Sequence, residues 1–349
     1  MKVHEHIFER IISPENLFLA WVEFCRGKRS RKDVQEFEWR LEENIFALQR
    51  ELASGSYRHG PYSAFTICDP KQRPIHKALV RDRIVHHALF KILNPIFESS
   101  FISHSFSCRA GKGTHRAVDM LERTLWRESR NHTRLCHVLK CDIHHFFASV
   151  DHEKLLSILG RRINDERTTE LLREIVSSFV AEEPTLFERK GIPIGNLTSQ
   201  LFANVYLNEF DQFMKHTLRV QCFIRYTDDF VIVSEDENYL CNLLPSIQSF
   251  LKEKLSLDLH PHKVTIRKYG QGIDFLGYVL LPHHRMIRTR TRRRMFRKLF
   301  ERVGAYKAGV VSAEGVEHSL QSYLGVLSHA NAHDVSEDLR NQYWFCMCA

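Results

Sequence analysis

Two adjacent aspartates lie between two short apolar runs, and this feature constrains the fold of the 349-residue chain more than any other. Residues 222–225 and 230–234 have the length and composition of strands, and the four residues between them have the length of a turn. Successive side chains of a strand point to opposite faces, so Asp228 and Asp229 can act together only at a turn. The pattern predicts an antiparallel hairpin with carboxylates at its tip.

A third carboxylate is predicted to reach the same place. Residues 135–141 form a short run with Val138 and Leu139 at its centre, which predicts a buried strand that ends at Asp142. Buried like charges are costly without a compensating cation, and a divalent metal ion is the simplest one. Carboxylates on adjoining strands could hold two hard cations for phosphoryl transfer, whereas an ordinary polar hairpin tip is the alternative interpretation.

The remaining elements are predicted from hydrophobic spacing, since no repeat or low-complexity linker divides the chain. Two helices are expected within 15–52, and Asp151 is placed to cap the N-terminus of another. Residues 275–281 and 286–289 predict a second hairpin. Helical spacing also occurs at 78–97, from 114 onward, at 198–218 and after 289. Helices beside a mostly antiparallel sheet define an α+β fold.

Composition excludes several classes of protein. Hydrophobic residues make up 43% and charged residues 26% of the chain, so it can bury a core. The apolar runs are far shorter than the roughly 20 residues of a membrane span, so no membrane association is expected. No export signal is expected, since the first residues contain no apolar stretch, and the nine cysteines include no CxxC pair. We expect a cytoplasmic protein with free thiols and no structural zinc.

Positive charge is concentrated in one segment. The net charge of the chain is +8, and residues 285–298 contain eight Lys or Arg and no acidic residue. Such a density favours a polyanionic partner, with a solvated helix face as the alternative. The candidate nucleic-acid-binding residues are Arg290, Arg292, Arg293, Arg294, Arg297 and Lys298.

The residues at 226–229, Tyr-Thr-Asp-Asp, resemble the YxDD motif of reverse transcriptases, and 142–152 is similar to the motif that carries their first metal-binding aspartate. Segments 82–98 and 107–115 resemble finger motifs of bacterial reverse transcriptases related to group II introns. The last two palm motifs and a thumb signature are matched at 260–263, 275–278 and 322–331. The resemblance covers residue 60 to the C-terminus and implies a right-hand polymerase.

This likeness predicts a domain organisation of fingers, palm with an antiparallel sheet, and helical thumb, preceded by a helical extension. The expected boundaries are 1–60 for the N-terminal extension, 61–134 for the fingers, 135–284 for the palm and 285–349 for the thumb, with 152–190 contributing to the fingers.

The segment 191–200 resembles one particular group of reverse transcriptases. Most reverse transcriptases have a glutamine before the second glycine, near the incoming base, where this chain has Ile194. The segment resembles the version found in diversity-generating retroelements, which copy a template RNA with frequent errors at adenines and feed the cDNA into a variable gene. Other bacterial retroelement or defence enzymes and a maturase-like splicing factor remain alternatives, and Ile194 could be merely an apolar loop residue.

The resemblance also implies the catalytic centre. Two Mg²⁺ ions, with Mn²⁺ as an alternative, would be held by a ligand set of Asp142, Ile143, Asp228 and Asp229. Lys263 matches the position proposed to protonate the leaving pyrophosphate, with an ordinary surface lysine as the alternative.

Nucleotide contacts are implied by the same likeness. Lys71 and Arg73 would bind the triphosphate, and Ile194 and Gly195 would lie near the incoming base. Phe147 stands where an aromatic ring would collide with a ribose 2′-hydroxyl, so the product should be DNA. The implied partners are a template RNA, a cDNA primer-template, dNTPs and a small basic accessory protein.

Overall fold

The computed structural model describes residues 2–68, 72–181 and 189–348, and it begins with four helices. The prediction of two helices within 15–52 is wrong in number, because the second one is interrupted at Trp39 and Arg40. Pro14 and the Ser13 side chain, which accepts a hydrogen bond from the Asn16 amide, start the second helix, which carries the buried Trp21. The helices are α1 (Phe8–Ile12), α2 (Pro14–Cys25), α3 (Lys32–Glu38) and α4 (Leu41–Ala53).

A two-stranded hairpin and two long helices follow the N-terminal helices. The strands are antiparallel and pair Phe65 with Ile75. Asp82 anchors the segment before the hairpin, because its buried carboxylate accepts hydrogen bonds from the Tyr57 hydroxyl at 2.8 Å and the Gly60 amide at 3.1 Å. The elements are β1 (Ser63–Ile67), β2 (Arg73–Lys77), α5 (Val80–Glu98) and α6 (Thr114–Glu128), and α6 begins at the predicted residue.

The central sheet has four antiparallel strands in the order β4-β5-β3-β6. Leu139 packs in the core on one face and Val138 in the core on the other, so both faces are buried. This double burial explains why residues 230–233 of the strand next to Leu139 are all apolar, without alternation. The strands are β3 (His137–Asp142), β4 (Phe223–Tyr226), β5 (Asp229–Ser234) and β6 (Thr265–Lys268).

In the described residues, five helices lie in the chain between β3 and β6. Asp151 caps α8 as predicted, since its carboxylate accepts from the Lys154 amide at 3.0 Å. The predicted helix at 198–218 is confirmed, and its last turn, Phe213–Thr217, is π-helical. The helices are α7 (Phe146–Ser149), α8 (His152–Gly160), α9 (Glu166–Ser177), α10 (Leu197–Gln212) and α11 (Glu237–Leu255).

A three-stranded antiparallel sheet and three helices complete the chain. The predicted second hairpin is confirmed in its pairing, because Tyr278–Leu281 is antiparallel to His284–Ile287. The extent of its first strand is wrong, because the backbone turns at Leu276 and Gly277, whose φ values are 48° and 94°. The apolar run therefore forms two strands of a hairpin, and a third strand follows. The elements are β7 (Ile273–Phe275), β8 (Tyr278–Leu281), β9 (His284–Ile287), α12 (Thr289–Lys307), α13 (Ala313–Leu327) and α14 (His333–Cys348).

The fold class is α+β, as the sequence predicted. Across 2–68, 72–181 and 189–348, none of the helices combines the length and the apolar character that crossing a membrane requires. The division into an extension, fingers, palm and thumb at the boundaries given above stays a prediction.

Candidate active site

Strand register brings the three predicted aspartates to one end of the central sheet. Strands β4 and β5 are joined by a two-residue turn at Thr227 and Asp228, and Asp229 is the first residue of β5. Asp229 pairs directly with Asp142 at the end of β3. The Ile143 amide donates to the Asp228 carbonyl at 3.2 Å, which fastens the turn to the end of β3. The predicted hairpin with carboxylates at its tip is confirmed.

The carboxylates at this tip resist ionisation. Burial raises the pKa of Asp228, and the negative charge of Asp142 raises it further. Burial also raises the pKa of Asp229; the cation of Lys140 opposes this shift, while the charges of Asp228 and Asp142 add to it. The aspartate cluster, defined as Asp142, Asp228 and Asp229, therefore favours any ligand that brings positive charge.

Two lysines lie close to the aspartate cluster. The Lys263 ammonium donates to Asp142 Oδ1 at 2.8 Å, so the structure brings this predicted residue into the site. Lys140 donates to the Asp274 carbonyl at 2.9 Å and lies on the same strand as Asp142, two residues earlier. Sequence analysis missed Lys140, although the period of two along a strand places it on the face of Asp142.

The donor atoms of the cluster fit a hard divalent cation. Mg²⁺ prefers oxygen ligands, and the cluster supplies carboxylates. The Ile143 side chain is buried and apolar, so only its backbone carbonyl could serve as a ligand. With the side chains placed as they are, no three His, Cys, Asp or Glu in the described ranges converge closely enough to share one ion.

Of the predicted nucleotide-binding residues, Arg73 lies in the same cleft as Asp229, and Lys71 is outside the described residues. Arg73 begins β2 and is exposed, and its charge acts to lower the pKa of Asp228. Burial nevertheless has the larger effect on that carboxyl group. Arg73 is thus placed to meet an anion that enters beside the aspartates.

The segment 191–195 connects the remaining nucleotide-binding candidates. The Ile192 amide donates to the Phe147 carbonyl at 2.8 Å, and the His76 amide donates to the Ile194 carbonyl at 3.1 Å. Gly195 has φ +119°, and a Cβ there would lie 2.9 Å from Ile75 Cγ2. Because the segment spans from α7 to β2, it brings Ile194 and Phe147 into one neighbourhood with the strand of Arg73.

A cleft of about 1200 Å³ opens from Asp229 toward helix α12. Four of the six predicted cationic residues line it: Arg290, Arg293, Arg294 and Arg297. The other two do not. Arg292 pairs with Asp338 at 3.3 Å, and Lys298 pairs with Glu301 at 3.0 Å. The cleft also contains Arg288, which sequence analysis did not select and which forms an ion pair with Asp274.

Comparisons with known proteins identify the family of the chain. Residues 69–280, more than half of the chain, match the family described as "Reverse transcriptase (RNA-dependent DNA polymerase)". The chain therefore belongs to the reverse transcriptase family. Its α+β architecture is the right-hand polymerase fold expected of that family.

Individual relatives include Protein YkfC of Escherichia coli, which is 28% identical over 72% of this chain and 74% of its own length. The group II intron-encoded protein LtrA of Lactococcus lactis is 21% identical, with 79% of this chain and 57% of LtrA covered. The putative COX1/OXI3 intron 2 protein of Saccharomyces cerevisiae is 21% identical, with 66% of this chain and 33% of the yeast protein covered. The chain thus spans only part of these intron proteins. Apo telomerase from Candida tropicalis superposes on 71% of the chain and 60% of its own, with a TM-score of 0.48 and 11% identity.

Replacing Asp229 with Asn should stabilise the protein in a chelating buffer. The pKa of Asp229 is raised in the folded state, so its ionisation weakens folding as the pH rises from about 4, and the penalty is complete above the folded pKa. Each pKa unit corresponds to about 1.4 kcal/mol, so Asp229→Asn should raise the unfolding midpoint by about 2–4 °C near neutral pH and by nothing near about pH 4.

Thermal unfolding in EDTA at both pH values measures this difference. Asp258→Asn, which removes an exposed carboxylate outside the cluster, is the control and should leave the midpoint unchanged. A lower midpoint for Asp229→Asn than for the wild type near neutral pH would contradict the account of the cluster.

Proposed function

We propose that this protein is an RNA-directed DNA polymerase whose cofactor is Mg²⁺, with Mn²⁺ as an alternative. The observation that carries the proposal is the pairing of Asp142 with Asp229 beside the turn at Asp228, in a chain of the reverse transcriptase family. The cleft lined by α12 arginines supports it, because cationic side chains there can bind a nucleic-acid backbone without reading sequence.

Asp142 and Asp228 would hold the ions, with Asp229 and the Ile143 carbonyl beside them. When bound, Mg²⁺ lowers the pKa of the primer 3′-hydroxyl and neutralises charge on the phosphates. Arg73 binds and orients the triphosphate, because a guanidinium can grip phosphate oxygens in pairs. Lys263, whose Nζ donates to Asp142 Oδ1 at 2.8 Å, is proposed to give a proton to the leaving pyrophosphate.

DNA synthesis by the purified protein on a defined RNA template with a DNA primer, dNTPs and Mg²⁺ tests the proposal. Asp228→Asn should lower the rate by about a thousandfold or more, since it removes a ligand charge that positions both reactants. Asp258→Asn should keep full activity. Equal synthesis by Asp228→Asn and the wild type would refute the proposed site.

Sugar selection should depend on Phe147. Phe147 is the second residue of α7, and its carbonyl accepts a hydrogen bond from the Ile192 amide at 2.8 Å, so its backbone is tied to the 191–195 segment. Phe147→Val should improve the use of ribonucleotides relative to deoxyribonucleotides by about tenfold or more, which corresponds to about 1.4 kcal/mol of lost discrimination. Single-nucleotide incorporation kinetics measure the ratio. Phe147→Tyr keeps the ring and should keep the selectivity, and unchanged selectivity in Phe147→Val would contradict this role.

We further propose that the enzyme makes error-prone cDNA for diversification of a variable gene. Ile194 supports this, because its half-buried apolar side chain beside β2 can pack but cannot form the hydrogen bonds of a glutamine. Mispairs then lose less binding energy relative to correct pairs. The alternatives are another bacterial retroelement or defence reverse transcriptase, or a maturase-like splicing factor.

Sequencing of the cDNA should show substitutions concentrated opposite template adenines. Ile194→Gln should reduce them by about tenfold for each 1.4 kcal/mol of discrimination regained, while Ile194→Val should leave the pattern unchanged. An unchanged error rate in Ile194→Gln would remove the fidelity role, and faithful wild-type cDNA would remove the diversification claim.

Template recognition is proposed to need a partner. The α12 arginines can hold phosphates but supply no sequence information. We propose that a small basic accessory protein helps to select the template RNA, and that the complex acts in the cytoplasm.

A further inference from the structure

The turn that carries Asp228 has an unfavourable backbone conformation. Thr227 has φ +53°, in the left-handed region that β-branched residues rarely adopt. Nothing in the local sequence of the turn supplies a reason for this conformation. Contacts from elsewhere in the fold must therefore hold Thr227 in place.

A buried arginine supplies one of these contacts. Arg225 donates from Nη1 to the Thr227 carbonyl at 3.1 Å. Its other donors reach Asp211 Oδ1 at 2.7 Å, Asp211 Oδ2 at 2.6 Å and Ser105 Oγ at 3.0 Å. Arg225 and Asp211 have side chains with no solvent exposure. A buried charge pair is costly unless its donors and acceptors are satisfied, and this pair is bidentate with further partners.

A second set of contacts holds the side chain of the same residue. The Thr227 hydroxyl donates to Ser107 Oγ at 2.6 Å, and the side-chain Nδ2 of Asn204 donates to the Ser107 carbonyl at 2.9 Å. Asn204 and Asp211 are seven residues apart on α10, so they lie on one face of that helix. One helix face thus anchors both contacts to the turn.

The backbone of residues 104–106 completes the arrangement. The Arg225 amide donates to the His104 carbonyl at 3.0 Å, and the Phe106 amide donates to the Arg225 carbonyl at 3.0 Å. These bonds place Ser105 and Ser107 beside β4. The hairpin clamp, defined as Ser105, Ser107, Asn204, Asp211 and Arg225, is buried throughout.

We propose that Arg225, held by Asp211, is a positioning residue that fixes the Thr227 turn so that the Asp228 carboxylate is aimed at the metal-binding site. This inference rests on the proposed function, because it takes Asp228 as a ligand of Mg²⁺. Arg225 touches no reacting atom and acts only through the turn. Lysine cannot replace it, since a single ammonium lacks the planar fork that reaches Asp211, Ser105 and the Thr227 carbonyl together.

Arg225→Lys tests the proposal, with Arg161→Lys as the matched control. Arg161 also pairs with an acidic residue of α10, Glu209, at 2.7 Å, but on the surface. The Mg²⁺ concentration that gives half of the Mg²⁺-induced rise in unfolding midpoint should increase about tenfold in Arg225→Lys. In DNA synthesis, kcat should fall about tenfold at saturating Mg²⁺, with the dNTP KM changed by less than about twofold. Arg161→Lys should match the wild type in each measurement.

Removing one member of a buried pair can prevent folding, so a second variant is needed. Arg225→Met combined with Asp211→Leu removes both charges and should fold, and it should show the same loss of Mg²⁺ affinity. Wild-type Mg²⁺ dependence and kcat in folded Arg225→Lys, or in the folded double variant, would overturn the positioning role.

The two readouts separate this inference from the proposed function. If the wild type makes no DNA but binds Mg²⁺ in a way that depends on Arg225, the proposed polymerase function is refuted and the positioning role of Arg225 is supported. If the wild type is active and Arg225→Lys has the same Mg²⁺ dependence and kcat, only the positioning role of Arg225 is refuted. A wild type with neither Mg²⁺-induced stabilisation nor DNA synthesis would overturn both.

Discussion

The site depends on the antiparallel register that sets Asp142 opposite Asp229. This pairing, with the turn at Asp228, collects three carboxylates at one end of a sheet whose two faces are both buried. Burial of like charges opposes folding, as the raised pKa values of Asp228 and Asp229 show. The aspartate cluster therefore lowers the free energy of unfolding in exchange for a strongly negative site. This trade-off is common where a site must bind a divalent cation.

The surrounding structure limits this cost. Lys140 opposes the shift at Asp229, and Lys263 contacts Asp142 directly. The uncommon backbone of Thr227 is held by a buried, fully partnered arginine rather than by the turn sequence. Positive charge at longer range comes from the α12 arginines that line the cleft next to Asp229. The negative aspartate cluster therefore lies within a positively charged cleft. The cleft suits a nucleic-acid backbone, and the cluster suits metal ions that would approach a reacting phosphate.

Local patterns predicted much of this arrangement. The β4–β5 hairpin, the end of β3 and the start of α6 follow from residue periodicity and turn chemistry over a few residues, so the sequence was sufficient. The run at 275–281 was misassigned because its apolar pattern continues through Leu276 and Gly277, where the backbone turns. The hairpin clamp was not predicted, because Ser105 and Ser107 are 120 residues from Arg225 and Thr227 and no periodicity connects them. Likewise, only the fold shows that Arg292 and Lys298 pair with acids outside the cleft.

Anomalous diffraction from crystals containing Mn²⁺, an RNA template with a chain-terminated DNA primer, and a dNTP tests the central claim most directly. The account predicts anomalous peaks at about 2 Å from carboxylate oxygens of Asp142 and Asp228, with the triphosphate on the Arg73 side and the duplex along α12. Mn²⁺ bound only elsewhere, with Asp142 still paired to Lys263 in the presence of primer, template and nucleotide, would contradict it.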